Sequence, residues 1–329
     1  NTQVGCPRWC SCSLADFKVG SGTQVVNDPA DDNASDRRNA IGSGFRVSCG
    51  SVRLGKNTRN GGQHRISNTL VNINLTIDDN GIALLELNRP DVLNALNAPL
   101  MREFREALEA MATNKHVRAL IITGSGRAFC AGADLGADVI QGGASGDSIG
   151  QAVADQMGRE FNPMMEMVYA FPRPVISAVN GIAAGGGAGL ALCADIVLAS
   201  EKAALKVVQP QQLGIAGDLG VNWLLSRMSG RARALGLCLL GDTVPAATLN
   251  QWGLVWDCVA PEELLTRAKD IAGRLATLPP ETVLATRRLV DEASGDSFAE
   301  SLEKERMLQK DLCDQPVFID SVGKFLGRR

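Results

Sequence analysis

The sequence predicts an α/β fold that ends in an all-helical third. Short apolar runs that read as buried strands alternate with helical stretches between residues 70 and 200. Every long element from Leu219 onward has helical spacing. Within the alternating region, the apolar run Pro174-Val175-Ile176-Ser177-Ala178-Val179 leads to Ala183-Ala184-Gly185-Gly186-Gly187-Ala188-Gly189-Leu190 and then to a short helical stretch, Leu190-Ala191-Leu192-Cys193-Ala194.

Taken in order, 70–77 and Ile82–Leu87 read as strands. A helix follows from about 98 to 112, with Leu100, Phe104, Ala107, Leu108 and Met111 on its apolar face, Asn97 as cap and Pro99 in the first turn. Residues 117–123 read as a buried strand. A polar Gly/Ser/Asp stretch runs from Asp134 to Asp147, and a helical segment continues to about Tyr169. Strands near 174–179 and 195–199 complete the alternating part.

The chain has 329 residues, 45% of them hydrophobic, enough to bury a sizeable core. Its first 67 residues hold 9 Lys/Arg against 5 Asp/Glu, a net of +4, and the remainder 24 against 31, a net of −7. An acidic body without a basic stripe argues against nucleic acid as partner. No apolar run approaches the ~18 residues of a membrane span, so no membrane partner is expected. Cys130, Cys193 and Cys238 sit in apolar stretches and read as reduced, buried cysteines of a cytoplasmic protein.

Residues 1–67 are rich in Gly, Ser, Asn, Asp and Arg, contain four cysteines and show no periodicity. They lack a long apolar segment of the secretory kind, and Cys6, Cys10 and Cys12 do not have zinc-site spacing. No Met precedes Met101. The expectation is a leader, or in-frame upstream sequence with the start near Leu70 or Val71.

The glycine segment admits two readings. Glycines let backbone approach a ligand closely, and a helix N-terminus has unpaired N–H groups, which together suit a phosphate or the oxyanion of an activated carbonyl. The alternative is a tight strand–helix turn packed on a neighbour. The spacing is not that of a P-loop, and no acidic residue follows at the distance a dinucleotide fingerprint needs.

A second segment, Phe129-Cys130-Ala131-Gly132-Ala133-Asp134-Leu135, lies about 50 residues before the glycines. The pair resembles the crotonase (enoyl-CoA hydratase/isomerase) superfamily. Asn88-Arg89-Pro90-Asp91-Val92-Leu93-Asn94-Ala95-Leu96 and Ala194-Asp195-Ile196-Val197-Leu198-Ala199 extend the likeness. So do Gly214-Ile215-Ala216-Gly217-Asp218-Leu219-Gly220, Gly230-Arg231-Ala232-Arg233-Ala234, Gln251-Trp252-Gly253-Leu254-Val255 and Lys324-Phe325-Leu326-Gly327-Arg328. The likeness covers about 70–329 and is strongest to the phenylacetate-pathway ring isomerase branch. It implies a ββα superhelix, with a spiral core over 68–258 and a C-terminal helical trimerisation region over 259–329.

By the same resemblance the substrate is an acyl-CoA thioester, and coenzyme A enters as part of it, so no separate cofactor is expected. Loss of the α-proton turns a thioester carbonyl into an enolate, whose oxygen needs fixed donors. The resemblance assigns these to the backbone N–H groups of Ala133 and Gly186. It places Val92, Leu93, Ala95, Ala131, Gly132, Asp134, Leu135 and Gly185 along the CoA and acyl path, with Asp134 steadying the oxyanion loop. Arg89 and Arg127 are candidates for phosphate contacts or plain loop charges.

The acid/base positions depart from the family. A hydratase of this kind uses two glutamates, and here they fall at Gly189 and within Gln209-Pro210-Gln211, none of which is a general base. Asp218 remains, matching the loop carboxylate that shuttles a proton in the family's isomerases and attacks as nucleophile in its dehalogenases. Without the resemblance, Asp218 reads first as the cap of a helix starting near Leu219; with it, catalysis is the better reading, and the two roles can coexist. Asp195 reads as structural, and Tyr169, Trp223, Trp252 and Trp256 as packing.

The histidines are His64 and His116, so a Ser-His-Asp or Cys-His nucleophile and a metal site are not expected. Three functions stand in order: an acyl-CoA isomerase using Asp218, an enoyl-CoA hydratase or related lyase using Asp218 and ordered water, and a non-catalytic acyl-CoA-binding member. Apolar residues in the tail from 297 to 329, including Phe298, Leu302, Met307, Leu312, Phe318, Val322 and Phe325, together with the resemblance, lead to the expectation of a homotrimer or hexamer.

Overall fold

The computed structural model describes residues 63–65, 70–134 and 148–327. The leader reading therefore falls largely outside the described residues, as do Leu135 and most of the polar stretch after Asp134.

The first hairpin follows from alternation. In β2 (Ile73–Asp78) Ile73, Leu75 and Ile77 face inward, and the strand pairs antiparallel with β3 (Ile82–Leu87). A strand without a sequence signal, β1 (Gln63–Arg65), pairs antiparallel with β2. Helix α1 (Ala98–Thr113) starts where Asn97 accepts a hydrogen bond from the Leu100 N–H at 3.0 Å. The whole expected stripe of α1 is buried, and Met101 joins it.

The chain then repeats one unit. β4 (Ala119–Gly124), buried along its length as a central parallel strand is, leads to the short β5 (Ala128–Cys130). The helical run α2 (Ile149–Gln156) passes through a π turn (Met157–Phe161) into α3 (Asn162–Tyr169). Next come β6 (Val175–Val179), β7 (Ile182–Ala184) and α4 (Gly186–Leu192). β8 (Ile196–Ser200) and β9 (Ala204–Lys206) lead through a second π turn (Gln209–Leu213) to α5 (Val221–Leu240), which breaks at Gly230.

Among the described residues these strands form two sheets, ordered β1-β2-β3-β4-β6-β8-β11 and β10-β9-β7-β5, where β10 is Val244–Pro245 and β11 is Asp257–Val259. Neighbours from β3 to β11 are parallel, as are β5, β7 and β9. Each passage thus lays one strand in the large sheet and the next in the small one before a helix returns it. That is the expected ββα spiral.

One apolar cluster joins both sheets and α1 through residues such as Leu85, Phe104, Leu120, Phe129 and Ala183. A second forms where α7 (Leu264–Leu275) sets Leu264, Ala268 and Ile271 on Ile121, Ile176, Ala178 and Leu198. A short helix, α6 (Ala246–Gln251), lies between β10 and β11 in the chain.

The tail consists of α8 (Pro280–Ala293), α9 (Phe298–Cys313) and α10 (Pro316–Leu326), none with a fully buried residue. One tie to the spiral is Arg287, which pairs with Asp195 at 2.7 Å and donates to the carbonyls of Tyr169, Phe171 and Arg173, and another is Arg227 of α5, which donates to Asp291 O at 3.0 Å. Asp195 also accepts from the Val175 N–H at 2.8 Å, which bears out its structural reading. Trp256 is 70% exposed, so it is not a packing residue of this chain's core.

Candidate active site

Three passages of the spiral meet at one point. The first is the loop after β3. Leu93 and Asn94 both take positive φ, 55° and 57°, in a turn that sequence alone gives little sign of. Asn94 is fully buried and supports that turn: its amide accepts from the Arg89 N–H at 2.8 Å and donates to the carbonyls of Ser125 and Ala128.

The loop then lies beside the Ala131–Asp134 segment. Ala131 N–H donates to Leu93 O, Leu96 N–H to Gly132 O, and Asp134 N–H to Leu96 O, at 2.9, 2.7 and 2.9 Å. This is a parallel bridge between Leu96 and Ala133. A residue flanked by two such bonds directs its own N–H to the other side. The Ala133 N–H accordingly leaves from the opposite edge and donates to no acceptor among the described residues.

Arg89 closes the loop pair, pairing with Asp134 at 3.0 Å and donating to Ala95 O. Arg89 is therefore occupied as a loop clamp rather than placed as a phosphate ligand, while Arg127 is a solvent-exposed loop charge. The structure gathers Val92, Leu93, Ala95, Ala131, Gly132 and Asp134 here; Leu135 lies outside the described residues.

The second passage is the glycine turn. Gly132 has φ +95°, and a Cβ on it would stand 2.9 Å from Ala184 O and 3.0 Å from Gly186 N, so the two segments touch through backbone. Gly185 caps α4 with φ 53° and ψ −126°. The helix begins at Gly186, inside the glycines rather than at Leu190, because Gly185 supplies the turn. Gly186 heads the first turn, whose N–H groups have no intrahelical acceptor, and its N–H makes no bond among the described residues. Two backbone donors without an acceptor among the described residues, Ala133 and Gly186, thus stand on adjoining segments.

Asp218 arrives on the third passage. A Cβ on Gly186 would lie 3.6 Å from Asp218 Oδ1 and 2.5 Å from Leu219 Cδ1. Leu219 and Gly220 have φ 49° and 77°, a left-handed pair that turns the chain into α5. Gly220, not Asp218, is the N-cap, and no side chain caps that helix. The helix-cap reading of Asp218 is thereby corrected: its carboxylate accepts from Gln209 Nε2 at 2.8 Å. Burial pushes the Asp218 carboxyl above the ordinary aspartate range, and the Gln209 hydrogen bond pulls partly against that.

Gly189 explains its own lack of a side chain. A Cβ there would stand 2.2 Å from Leu219 O and 3.0 Å from Leu219 C, both backbone. The chain carrying Asp218 occupies the space that a glutamate at 189 would need.

Asn94 and Gln209 are the residues to which sequence reasoning gave no role. Their signal was a polar amide in an otherwise apolar or turn context, which acidity alone does not detect. Burial pushes the Cys130 thiol up to about 12, so it is no nucleophile here. A cavity of about 590 Å³ lined by Trp223, Arg227 and Val290 shares no residue with this constellation. Among the described residues no helix is long and apolar enough to cross a membrane.

Comparisons with known proteins identify the family and the fold. The family model for enoyl-CoA hydratase/isomerase matches residues 78–329. The chain is 36% identical over 251 residues to the 1,2-epoxyphenylacetyl-CoA isomerase of Escherichia coli K12, covering 76% of this chain and 94% of that one. It is 34% identical over 236 residues to the crotonyl-CoA hydratase of Syntrophomonas wolfei, covering 70% and 84%. The crystal structure of an enoyl-CoA hydratase from Bacillus anthracis superposes with a TM-score of 0.70 at 29% identity, covering 78% of this chain and 97% of that one. With the ββα spiral and the matched motifs over three quarters of its length, the chain belongs to the enoyl-CoA hydratase/isomerase family.

Proposed function

We propose that this enzyme isomerises an acyl-CoA thioester through an enolate. The Ala133 and Gly186 N–H groups hold the thioester oxygen. Asp218 takes a proton from carbon as the C–H electron pair moves toward that oxygen. It then returns the proton to another carbon, so no atom is gained or lost. Donors fixed in advance stabilise charge without reorganising at the moment of reaction.

The observation that carries the reading is the position of Asp218 beside Gly186, with Leu219 backbone filling the side-chain space of Gly189. The Asp218 carboxylate lies beside Gly186, and its raised pKa suits a group that must both accept and release a proton. Likeness to an isomerase of 1,2-epoxyphenylacetyl-CoA supports the same choice. Likeness to a crotonyl-CoA hydratase keeps water addition, with Asp218 and an ordered water, as the second reading.

A screen of CoA thioesters followed by mass and ultraviolet absorbance separates the readings. Isomerisation changes absorbance at constant mass; hydration adds one water. Tight binding with neither change would leave a non-catalytic acyl-CoA-binding protein and refute the proposal.

We also propose a homotrimer, or a dimer of trimers. Phe298, Ile319, Leu302 and Phe318 of the tail are 80, 63, 48 and 44% exposed, more apolar surface than solvated helices carry. Light scattering at micromolar concentration should give a multiple of three chains; a monomer would overturn this.

A further inference from the structure

Gln209 opens the π turn after β9 and is 3% exposed. Its Nε2 donates to Asp218 Oδ1 and lies 3.6 Å from where a Cβ on Gly185 would be, so the amide rests over the cap of α4. Its Oε1 is buried and accepts nothing among the described residues. A buried acceptor without a partner carries a desolvation penalty that a methionine of similar shape would avoid. An amide kept there despite that penalty points to work done by its other end.

We propose that Gln209 is a positioning residue for the proton transfer: its amide engages Oδ1 of Asp218 and leaves the second oxygen to take and return the substrate proton. This role rests on the reading of Asp218 as the proton carrier. Without Gln209 the carboxylate would be free to rotate and would lose its one side-chain donor among the described residues.

The direction of the titration effect follows from the surroundings. Helix α4 and the π turn Gln209–Leu213 hold no charged residue, and those on α5 and β9 are Arg227, Arg231, Arg233 and Lys206. None pairs with Asp218. Burial raises the carboxyl, while Gln209 and the Asp218 backbone N–H lower it. Removing the amide must make ionisation harder, so the acidic limb of the rate profile moves to higher pH.

The test compares Gln209→Met with wild type. Turnover at neutral pH should fall ~10-fold, the scale of one hydrogen bond to a charged group, with KM little changed and the acidic limb moved up. In an Asp218→Asn background the same substitution should add no further loss. Carbon-13 NMR of the Asp218 carboxyl should show its titration moved upward whether or not turnover is measured. Should Gln209→Met fold poorly, Gln209→Leu also removes the donor without adding a charge, and the limb should again move up.

Unchanged turnover and limb in Gln209→Met, or an unmoved NMR titration, would overturn the role. So would loss of thermal stability and of kcat and KM together with the limb in place, which marks a structural residue. Near-normal turnover in Asp218→Asn would instead overturn the Asp218 reading and this role with it, while the NMR titration would still report the Gln209–Asp218 contact.

Discussion

Replacing Gly189 by alanine tests whether the backbone of Leu219 sets the position of Asp218. The new Cβ would sit 2.2 Å from Leu219 O, and ordinary contact begins at 3.4 Å, so the carbonyl must retreat by about 1.2 Å. Leu219 directly follows Asp218, so the carboxylate moves with it. Displacement of a catalytic group by ~1 Å lowers a rate by ~100-fold. Overpacking of this kind also costs about 1–3 kcal/mol of stability. Turnover is measured with the best thioester from the screen, and stability by denaturant midpoint. Gly189→Glu goes further, since it places a carboxyl where the resemblance puts a hydratase glutamate. It should still add no water to an enoyl thioester, because the side chain has no room. Wild-type turnover and midpoint in Gly189→Ala, or hydration gained by Gly189→Glu, would refute the reasoning.

Asp218→Asn should lower turnover by ~100-fold or more, the usual span of a positioned general base. It should not lower stability at neutral pH. A carboxyl raised by burial favours its protonated form in the fold, so its contribution is present below the unfolded pKa and lost as pH rises through the folded one. The neutral amide avoids that loss, and a fall in the neutral-pH midpoint would contradict the burial account. Wild-type activity should in turn fall on acidification at a pH above the ordinary aspartate range, read from the rate profile. Gly186→Val should cut the rate by ~100-fold or more, because its Cβ meets Leu219 Cδ1 at 2.5 Å and its branches crowd the donor; unchanged activity in the folded variant would remove the oxyanion assignment. Arg287→Ala should cost about 2–3 kcal/mol by denaturant midpoint, since it strands the half-buried Asp195 and three carbonyls, whereas the exposed Arg288→Ala should shift it little.

Regular elements were legible where one periodicity ran long enough. The stripe Leu100, Phe104, Ala107, Leu108 and Met111 with Asn97 before it gave α1 almost to the residue, and alternation gave β2 and β3. The three-residue strands β5 and β7 offer too few positions for a period, so β7 is not separable from the glycine turn by sequence. The start of α4 was read late because glycine is counted as a breaker. Here Gly185 forms the turn, and Gly186 and Gly187 continue as helix, where glycine fits at 187 because a Cβ there would stand 2.2 Å from Cys130 O.

The side-chain roles were less legible than the elements. Asp218 looked like a cap because its position just before a helix is what caps require; that Leu219 and Gly220 turn left-handed and take the cap elsewhere is not written in residue types. Arg89 looked available to phosphate because its partner Asp134 lies 45 positions away, beyond any local rule. Gln209 carries no charge that marks it in the sequence, although a donor to a carboxylate needs none.

These observations imply a division of labour in the site. The groups proposed to stabilise charge are backbone, so their placement depends on how closely three chain segments approach, and Gly132, Gly187 and Gly189 are among the contacts where a Cβ would meet backbone within 3.0 Å. Such a site tolerates few changes at those positions but leaves the choice of acid/base group to the residues around it. Opening the space beside residue 189 would admit a carboxyl from α4, whereas filling it with Leu219 brings in Asp218 from the next passage. The two arrangements exclude each other because they use one volume. A change of chemistry on this scaffold therefore needs the 214–220 loop to move together with residue 189, and a single substitution at either place should lose the present activity without producing the other.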